Sequence, residues 1–142
     1  MRIAVMGAGG VGGYFGGRLL QAGHDVTFIA RGRHLEALQA TGLALKSPLG
    51  DAKLKVNAVG RAADAGPADI ALFAVKLWDT EASATQLRPV VEKGGFVIPF
   101  QNGVESVTRI GAILGKERVR GGAAYIAGRI AEPGVILHTG TI

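Results

Sequence analysis

The sequence predicts an α/β protein of the Rossmann type, with a doubly wound, mainly parallel sheet and antiparallel strands at its margins. Three observations support this prediction: a glycine-rich motif between a short apolar run and a helix, a second apolar run within 30 residues, and further apolar runs of strand length after it. A strand, a helix and a strand in so short a stretch form one βαβ unit, which is parallel and right-handed.

The composition is that of a folded protein. The chain has 142 residues, of which 48% are hydrophobic and 19% charged, so it is long and apolar enough for one domain with its own core. Its apolar runs fall far short of the roughly 18 residues that a membrane helix needs, and we therefore expect no membrane partner. The chain has no cysteine, which excludes disulfides and thiolate metal sites and fits a reducing, cytoplasmic compartment.

Charge and histidine content narrow the candidate ligands. The net charge of +5 is spread along the sequence and suits an anionic small molecule. No basic stripe alternates with aromatic residues, so we expect no nucleic-acid partner. The histidines, His24, His34 and His138, lack metal-ligand spacing, so we expect no metal and place all three at the surface or in loops. The sequence sets no oligomeric state and is compatible with a homo-oligomer.

The first strand and the helix after it enclose a glycine-rich turn. Residues 3–6 are all apolar, and a run this short indicates a buried strand rather than a helix. Gly7, Gly9 and Gly12 then stand in G-x-G-x-x-G register, before a helix that Gly23 closes. In dinucleotide sites the first glycine permits the turn, the second lets the backbone approach a pyrophosphate, and the third allows helix and strand to pack. The helix N-terminus then offers free N–H groups to the phosphates.

Chance and a secretory signal account for this stretch less well than nucleotide binding does. The motif could arise by chance in a chain with 23 glycines. However, each glycine within the helix costs about 1 kcal/mol relative to alanine, so their presence there calls for an explanation. Gly12 and Gly16 lie one helical turn apart and leave one face of the helix free for close approach. A secretory signal would explain why Arg2 precedes an apolar stretch, but that stretch lacks a leucine-rich centre. We therefore predict that the cofactor contacts Gly7, Ala8, Gly9, Gly10, Val11 and Gly12.

The end of the second strand, residues 26–30, indicates which cofactor is bound. Sites for NAD place an acidic residue there to hold the ribose 2′-hydroxyl, whereas an arginine accommodates the 2′-phosphate of NADP. Here Arg31 follows the strand directly, 19 residues after Gly12, and no acidic residue occurs before Glu36. The guanidinium matches phosphate oxygens with a fork of donors, so we predict NADP(H). Arg33 is either a second contact or a solvated loop residue.

The next stretch predicts a helix at 33–41, a marginal antiparallel hairpin formed by 43–46 and 53–59, and a linker at 62–68. Residues 69–75 then form a buried parallel strand. Lys76 stands at its carboxyl end, where it either faces an anion in the ligand crevice or is simply solvated. Asp79 is positioned to cap a helix that runs to about residue 91, with Glu81 in its first turn. Pro89 is expected to end or kink that helix.

The last third of the chain predicts a strand at 96–100 followed by a polar turn. Asn102 and Glu105 have the spacing of a capping box, which leaves the Asn102 amide donors free for a ligand. A helix at 104–114 ends at Gly115. Two further strands are expected at 119–126 and 134–138, joined through 131–134.

Several segments recur in a characteristic order: the glycine motif of 7–13, Arg31 with His34, Val75-Lys76 with 79–81, 101–105, and 132–134 with 138–140. Together they resemble the N-terminal domain of the ketopantoate reductase family over essentially the whole chain. The glycine motif alone occurs in many dehydrogenases, whereas the lysine after the strand at 69–75 together with Gln-Asn-Gly is far more specific.

The resemblance implies an NADPH-dependent reduction of 2-dehydropantoate, a small 2-oxo acid, to pantoate on the route to pantothenate and coenzyme A. It places the glycine turn on the pyrophosphate and Arg31 on the 2′-phosphate. Lys76 and Asn102 would lie beside both cofactor and substrate, and Gly128 falls near a cofactor-contacting alanine of the family. The family's proton-donating lysine belongs to a helical C-terminal domain, which we expect to lie outside this chain. We therefore expect no catalytic residue among these 142 and no activity from the chain alone.

Two further functions remain open at this stage. One is an NADP-linked dehydrogenase that acts on another 2-oxo or hydroxy acid, because we expect most residues that select the substrate to lie outside this chain. The other is a nucleotide-sensing domain without chemistry, although an NAD sensor is expected to carry an acidic residue where Arg31 stands.

Overall fold

A computed structural model describes residues 1–101 and 104–140 and shows two β-sheets with helices packed around them. The helices are α1 (Gly10–Gln21), α2 (Gly32–Thr41), α3 (Thr80–Gln86), α4 (Arg88–Val91) and α5 (Ser106–Leu114), with 3₁₀ helices at Ala62–Ala65, Leu77–Asp79 and Lys116–Arg118. The strands are β1 (Arg2–Met6), β2 (Asp25–Ile29), β3 (Leu43–Lys46), β4 (Ala52–Leu54), β5 (Asn57–Val59), β6 (Ile70–Phe73), β7 (Phe96–Pro99), β8 (Gly128–Glu132) and β9 (Val135–His138).

The central sheet has five parallel strands in the order β5-β2-β1-β6-β7, which confirms the predicted fold class. Strand β1 lies in the middle and pairs with β2 on one side and with β6 on the other. The chain therefore continues from β1 to β2 on one side and later adds β6 on the opposite side of β1. Where the strand order reverses in this way, a crevice opens at the carboxyl ends of the strands.

The core divides into two apolar clusters because successive side chains of a strand point to opposite faces. Ala4 and Met6 belong to the cluster that also contains side chains of α3, α4 and α5, whereas Ile3 and Val5 belong to the other. The second cluster includes side chains of α1, α2 and the smaller sheet. Gly16 allows α1 to pack closely on β2, since a Cβ on Gly16 would come within 2.6 Å of the Phe28 ring.

The smaller sheet corrects the predicted hairpin. Strands β3 and β4 are antiparallel as expected, but they belong to a separate four-stranded sheet in the order β4-β3-β9-β8. The predicted strand at 53–59 divides, and its second half, β5, pairs in parallel with β2. The long-range partner of β3 is β9, about 90 residues later, and a local alternation pattern carries no information about such a partner.

The predicted strand at 119–126 is wrong. Val119 makes only an isolated bridge with Val97, and the following residues continue without regular structure to β8. Strand β8 instead spans Gly128–Glu132 and pairs with β9 across the turn at Pro133-Gly134. Four of its five residues are exposed, so no buried apolar pattern indicated it.

Helix boundaries follow the sequence signals in most places. Gly23 closes α1 with a φ of +98°, and α3 gives way to α4 beside Pro89. Asp79 does occupy the N-cap of α3, but its side chain makes no capping hydrogen bond. Helix α5 begins two residues later than predicted, with Glu105 at its N-cap, so the predicted capping box does not start it. The predicted linker at 62–68 contains the 3₁₀ helix Ala62–Ala65.

His138 corrects the expectation that the histidines are superficial, because it is only 1% exposed. Like Ile136 two residues earlier on β9, its side chain points into the protein. Its ring packs on that of Tyr14 with the centroids 4.4 Å apart, and its Nδ1 lies 2.7 Å from the Ser47 hydroxyl oxygen.

Within the described ranges, no helix combines the length and apolar content that a membrane crossing requires.

Candidate functional site

A cleft of about 390 Å³ opens at the carboxyl ends of β1, β2 and β6, where the strand order reverses. Most of its walls come from the turns that follow these three strands. Its lining includes residues 6–9 after β1, residues 29–31 and His34 after β2, and residues 74–76 and Asp79 after β6, together with Gly60, Ser83, Gln86 and Ile130.

The glycine turn after β1 forms the floor of the cleft. Gly7 has a φ of +97°, and a Cβ on it would lie 2.9 Å from the carbonyl carbon of Ala74. A Cβ on Gly12 would collide with the carbonyl oxygen of Gly7. The backbone of α1 is therefore in direct contact with the backbone of the glycine turn. A Cβ on Gly9, by contrast, would have no heavy atom of the described residues within 4 Å, because Gly9 faces open space.

Helix α1 begins beside this open backbone. Gly9 is its N-cap without a side-chain bond, and its first turn contains no acidic residue that would repel an anion. With 12 residues it is long enough for free N–H groups and a partial positive charge at its N-terminus. Gly10 has a different role, since a Cβ there would overlap the carbonyl group of Gly128 at the start of β8. The structure thus places Gly128 against the first residue of α1.

Arg31 borders the cleft where β2 ends. Its side chain is 84% exposed, and Nη2 donates a hydrogen bond to Asp79 Oδ2 at 3.1 Å. Asp79 follows β6, so this ion pair spans the strand ends on either side of β1. The sequence indicated both residues but not their contact.

Lys76 is exposed and borders the cleft just after β6. The backbone around it is held by two side chains. Gln101 Nε2 donates to the carbonyl oxygen of Val75 at 3.0 Å and to the Thr80 hydroxyl at 2.9 Å. Thr80 in turn donates to the carbonyl oxygen of Leu77 at 2.7 Å. Asn102, the other residue predicted to approach the substrate, lies outside the described residues.

His34 belongs to the site, although the sequence predicted a surface or loop position. The backbone N–H of Gly134 donates to Nδ1 at 3.0 Å, which leaves the ring hydrogen on Nε2, and Nε2 donates to the carbonyl oxygen of Ala8 at 2.6 Å. The imidazole therefore links the glycine turn to the β8–β9 turn. Its position three residues after Arg31, in the first turn of α2, is the sequence signal that it faces the same cleft.

Helix α3, which lines the cleft through Ser83 and Gln86, is joined to α5 by a charged pair. Arg109 on α5 donates to both carboxylate oxygens of Glu81 on α3, at 2.7 and 2.8 Å. The hydrogen bonds from Arg109 lower the pKa of Glu81 below its ordinary value.

Among the described residues, no three His, Cys, Asp or Glu side chains come together as metal ligands.

Comparisons with known proteins agree with this geometry. The family described as Ketopantoate reductase PanE/ApbA matches residues 3–142. The chain is 35% identical over 98% of its length to the uncharacterized oxidoreductase YkpB of Bacillus subtilis, and 38% identical over 98% of its length to the 2-dehydropantoate 2-reductase of Archaeoglobus fulgidus. It covers 46% and 44% of these two relatives, so the chain spans about half the length of the curated relatives it matches.

Solved structures give the same result. The 2-dehydropantoate 2-reductase of Geobacter metallireducens superposes with a TM-score of 0.93 at 34% identity, covering 99% of this chain and 47% of that one. A D-mandelate dehydrogenase solved with NADH and anilino(oxo)acetate has a TM-score of 0.89 over 99% of this chain and 46% of that one, but its 23% identity shows a shared fold alone. The cleft, the sheet order and these matches together establish that the chain belongs to the ketopantoate reductase family, whose members are oxidoreductases acting on CH–OH donors.

Proposed function

We propose that this chain is the NADP(H)-binding half of a 2-dehydropantoate 2-reductase. The observation that carries the proposal is that the cleft has an open glycine backbone at its floor and the guanidinium of Arg31 at its rim. A dinucleotide phosphate presents a pyrophosphate and a separate 2′-phosphate, and these two features are complementary to those two anionic groups.

The residues present fit such a cofactor. The space beside Gly9 and the uncapped N-terminus of α1 form an anion cradle that a side chain would fill. Residues 7–12 would hold the pyrophosphate, and Arg31 would hold the 2′-phosphate. Gly128 would act indirectly, through its contact with Gly10.

When bound, NADPH supplies a hydride to the ketone carbon of a 2-oxo acid. The developing alkoxide then requires a proton and nearby donors. Lys76 contributes a positive charge at the edge of the cleft, and Asn102 would contribute amide donors to the nicotinamide or the substrate. We assign neither as the proton donor, which we place in a helical C-terminal domain of the full-length protein.

The 142-residue chain is therefore expected to bind NADPH and to turn over 2-dehydropantoate negligibly. Fluorescence titrations with NADPH and NADH on the parent and on Arg31→Ala test the cofactor assignment. We expect the parent to prefer NADPH and the variant to lose that preference, by about tenfold or more for one charged phosphate contact. Arg33→Ala is the matched control, because Arg33 is an exposed arginine in the first turn of α2, two residues after Arg31, and does not line the cleft.

Equal affinity of the parent for both cofactors would remove the NADP assignment. Substantial steady-state reduction of 2-dehydropantoate by this chain alone would contradict the division into two halves. Substrate choice is tested on the full-length protein, by comparing 2-dehydropantoate with other 2-oxo acids at saturating cofactor.

A further inference from the structure

We propose that Asp79 weakens the preference of the cleft for NADPH by competing with the 2′-phosphate for Arg31, an inference that rests on the proposed function. Asp79 Oδ2 accepts a hydrogen bond from Arg31 Nη2 at 3.1 Å, at the point where the 2′-phosphate of NADP would be held.

The backbone explains why the Asp79 carboxylate is available to Arg31. An N-cap residue usually has extended φ and ψ angles, which let its side chain reach back to the first helical N–H groups. Asp79 instead has φ −95° and ψ 3°, because the 3₁₀ helix Leu77–Asp79 runs directly into α3. Its side chain makes no capping bond, and the residue lines the cleft.

The two partners are unequally held. The side chain of Asp79 is 25% exposed, whereas that of Arg31 is 84% exposed. The carboxylate is therefore the fixed member of the pair, and the long guanidinium side chain is the one that can turn toward a ligand. Exposed ion pairs are weak, so a phosphate that accepts two hydrogen bonds from Arg31 would displace the carboxylate.

Displacement leaves Asp79 beside a phosphate of nearly two negative charges. The resulting repulsion lowers the affinity for NADPH, whereas the ribose hydroxyl of NADH can donate a hydrogen bond to the same carboxylate. Asp79 thus narrows the preference for NADPH that Arg31 creates.

The variant Asp79→Asn tests this on the 142-residue chain, because it removes the charge and keeps the shape. We expect NADPH to bind about three- to tenfold more tightly, with NADH unchanged or weaker, so that the preference for NADPH rises. Asp64→Asn is the matched control. Asp64 pairs with Arg61 at the same 3.1 Å distance, but neither residue lines the cleft.

The outcomes separate this inference from the proposed function. If Arg31→Ala abolishes the NADPH preference while Asp79→Asn leaves both affinities unchanged or weakens NADPH, the role of Asp79 is refuted and the cofactor assignment stands. If the parent has no NADPH preference and Arg31→Ala changes nothing, the proposed function fails first. Thermal unfolding of each variant excludes misfolding, and the ratio of the two affinities is insensitive to a uniform loss of folded protein.

Discussion

The imidazole of His34 and the backbone N–H of Gly134 are joined by a 3.0 Å hydrogen bond, although the two residues are 100 positions apart. The opposite ring nitrogen of His34 donates to the carbonyl oxygen of Ala8, in the glycine turn. One side chain therefore fixes the candidate phosphate-binding turn against the smaller sheet.

We expect His34→Phe to weaken NADPH and NADH binding by the same factor, because both cofactors share the pyrophosphate that this turn would hold. The two backbone groups that lose their partner should also lower the free energy of unfolding by about 1–3 kcal/mol. Cofactor titration and urea unfolding measure the two effects. His24→Gln serves as the control, since His24 is held through its backbone N–H, which donates to the carbonyl oxygen of Leu19. A change in the NADPH-to-NADH ratio in His34→Phe would contradict this role.

Gly9 and Gly12 are expected to separate binding from stability. In Gly12→Ala the new methyl group meets the carbonyl oxygen of Gly7, and overpacking of this kind destabilises a protein by about 1–3 kcal/mol. In Gly9→Ala the methyl group enters open space, and the φ of −80° suits alanine, so stability should stay within about 1 kcal/mol of the parent.

Cofactor affinity should nevertheless fall in Gly9→Ala, because the methyl group occupies the space through which a pyrophosphate approaches the backbone. Thermal unfolding and NADPH titration of both variants make the comparison. Undiminished NADPH affinity in a folded Gly9→Ala protein would place the phosphates elsewhere.

The Glu81–Arg109 pair predicts an acid-sensitive contribution to stability. Hydrogen bonds from Arg109 lower the pKa of Glu81 in the folded state, so the folded protein binds this proton less readily than the unfolded chain does. The stabilisation is therefore present above the ordinary carboxyl pKa of 4.5 and is lost as the pH falls through the lowered folded value.

We expect the difference in Tm between the parent and Glu81→Gln to be largest near neutral pH and to disappear in strong acid. Glu36→Gln, which changes an exposed carboxylate on α2, is a control for net charge. A Tm difference that persists unchanged into strong acid would mean that the ionised carboxylate is not what stabilises the contact.

We expect the side-chain amide of Gln101 to contribute more to the free energy of unfolding than that of Gln39, which is exposed. Gln101→Glu replaces a donor with an acceptor that faces the carbonyl oxygen of Val75, and leaving such a part-buried group unpaired costs about 1–3 kcal/mol. Gln39→Glu is a matched control, because Gln39 Nε2 also donates to a carbonyl oxygen at 3.0 Å but lies exposed. We expect Gln39→Glu to lower the free energy of unfolding by less than about 0.5 kcal/mol. Equal unfolding free energies for the two variants would show that Gln101 does not hold the backbone beside Lys76.

The elements that local patterns specify were predictable. The strand, glycine turn and helix of residues 2–21 follow from apolar runs and glycine spacing within one short stretch. The position of Arg31 near the end of β2 follows in the same way, because the apolar run of 26–30 marks the end of the strand to within one residue. The edge strand β8 and the placement of the β3–β4 hairpin did not, since β8 is exposed and β3 is completed by β9.

Local sequence was enough to specify the fold class, the glycine turn and the residue types at the strand ends, because each depends on neighbours a few positions apart. The contacts of Arg31 with Asp79, and of His34 with Ala8 and Gly134, arise instead from the folded arrangement of the chain. The Arg31–Asp79 and His34–Ala8 contacts join residues 48 and 26 positions apart, because parallel strands bring their carboxyl ends to one edge in an order that periodicity does not encode. The His34–Gly134 contact joins residues 100 positions apart, because the antiparallel β8–β9 hairpin of the smaller sheet lies beside the start of α1.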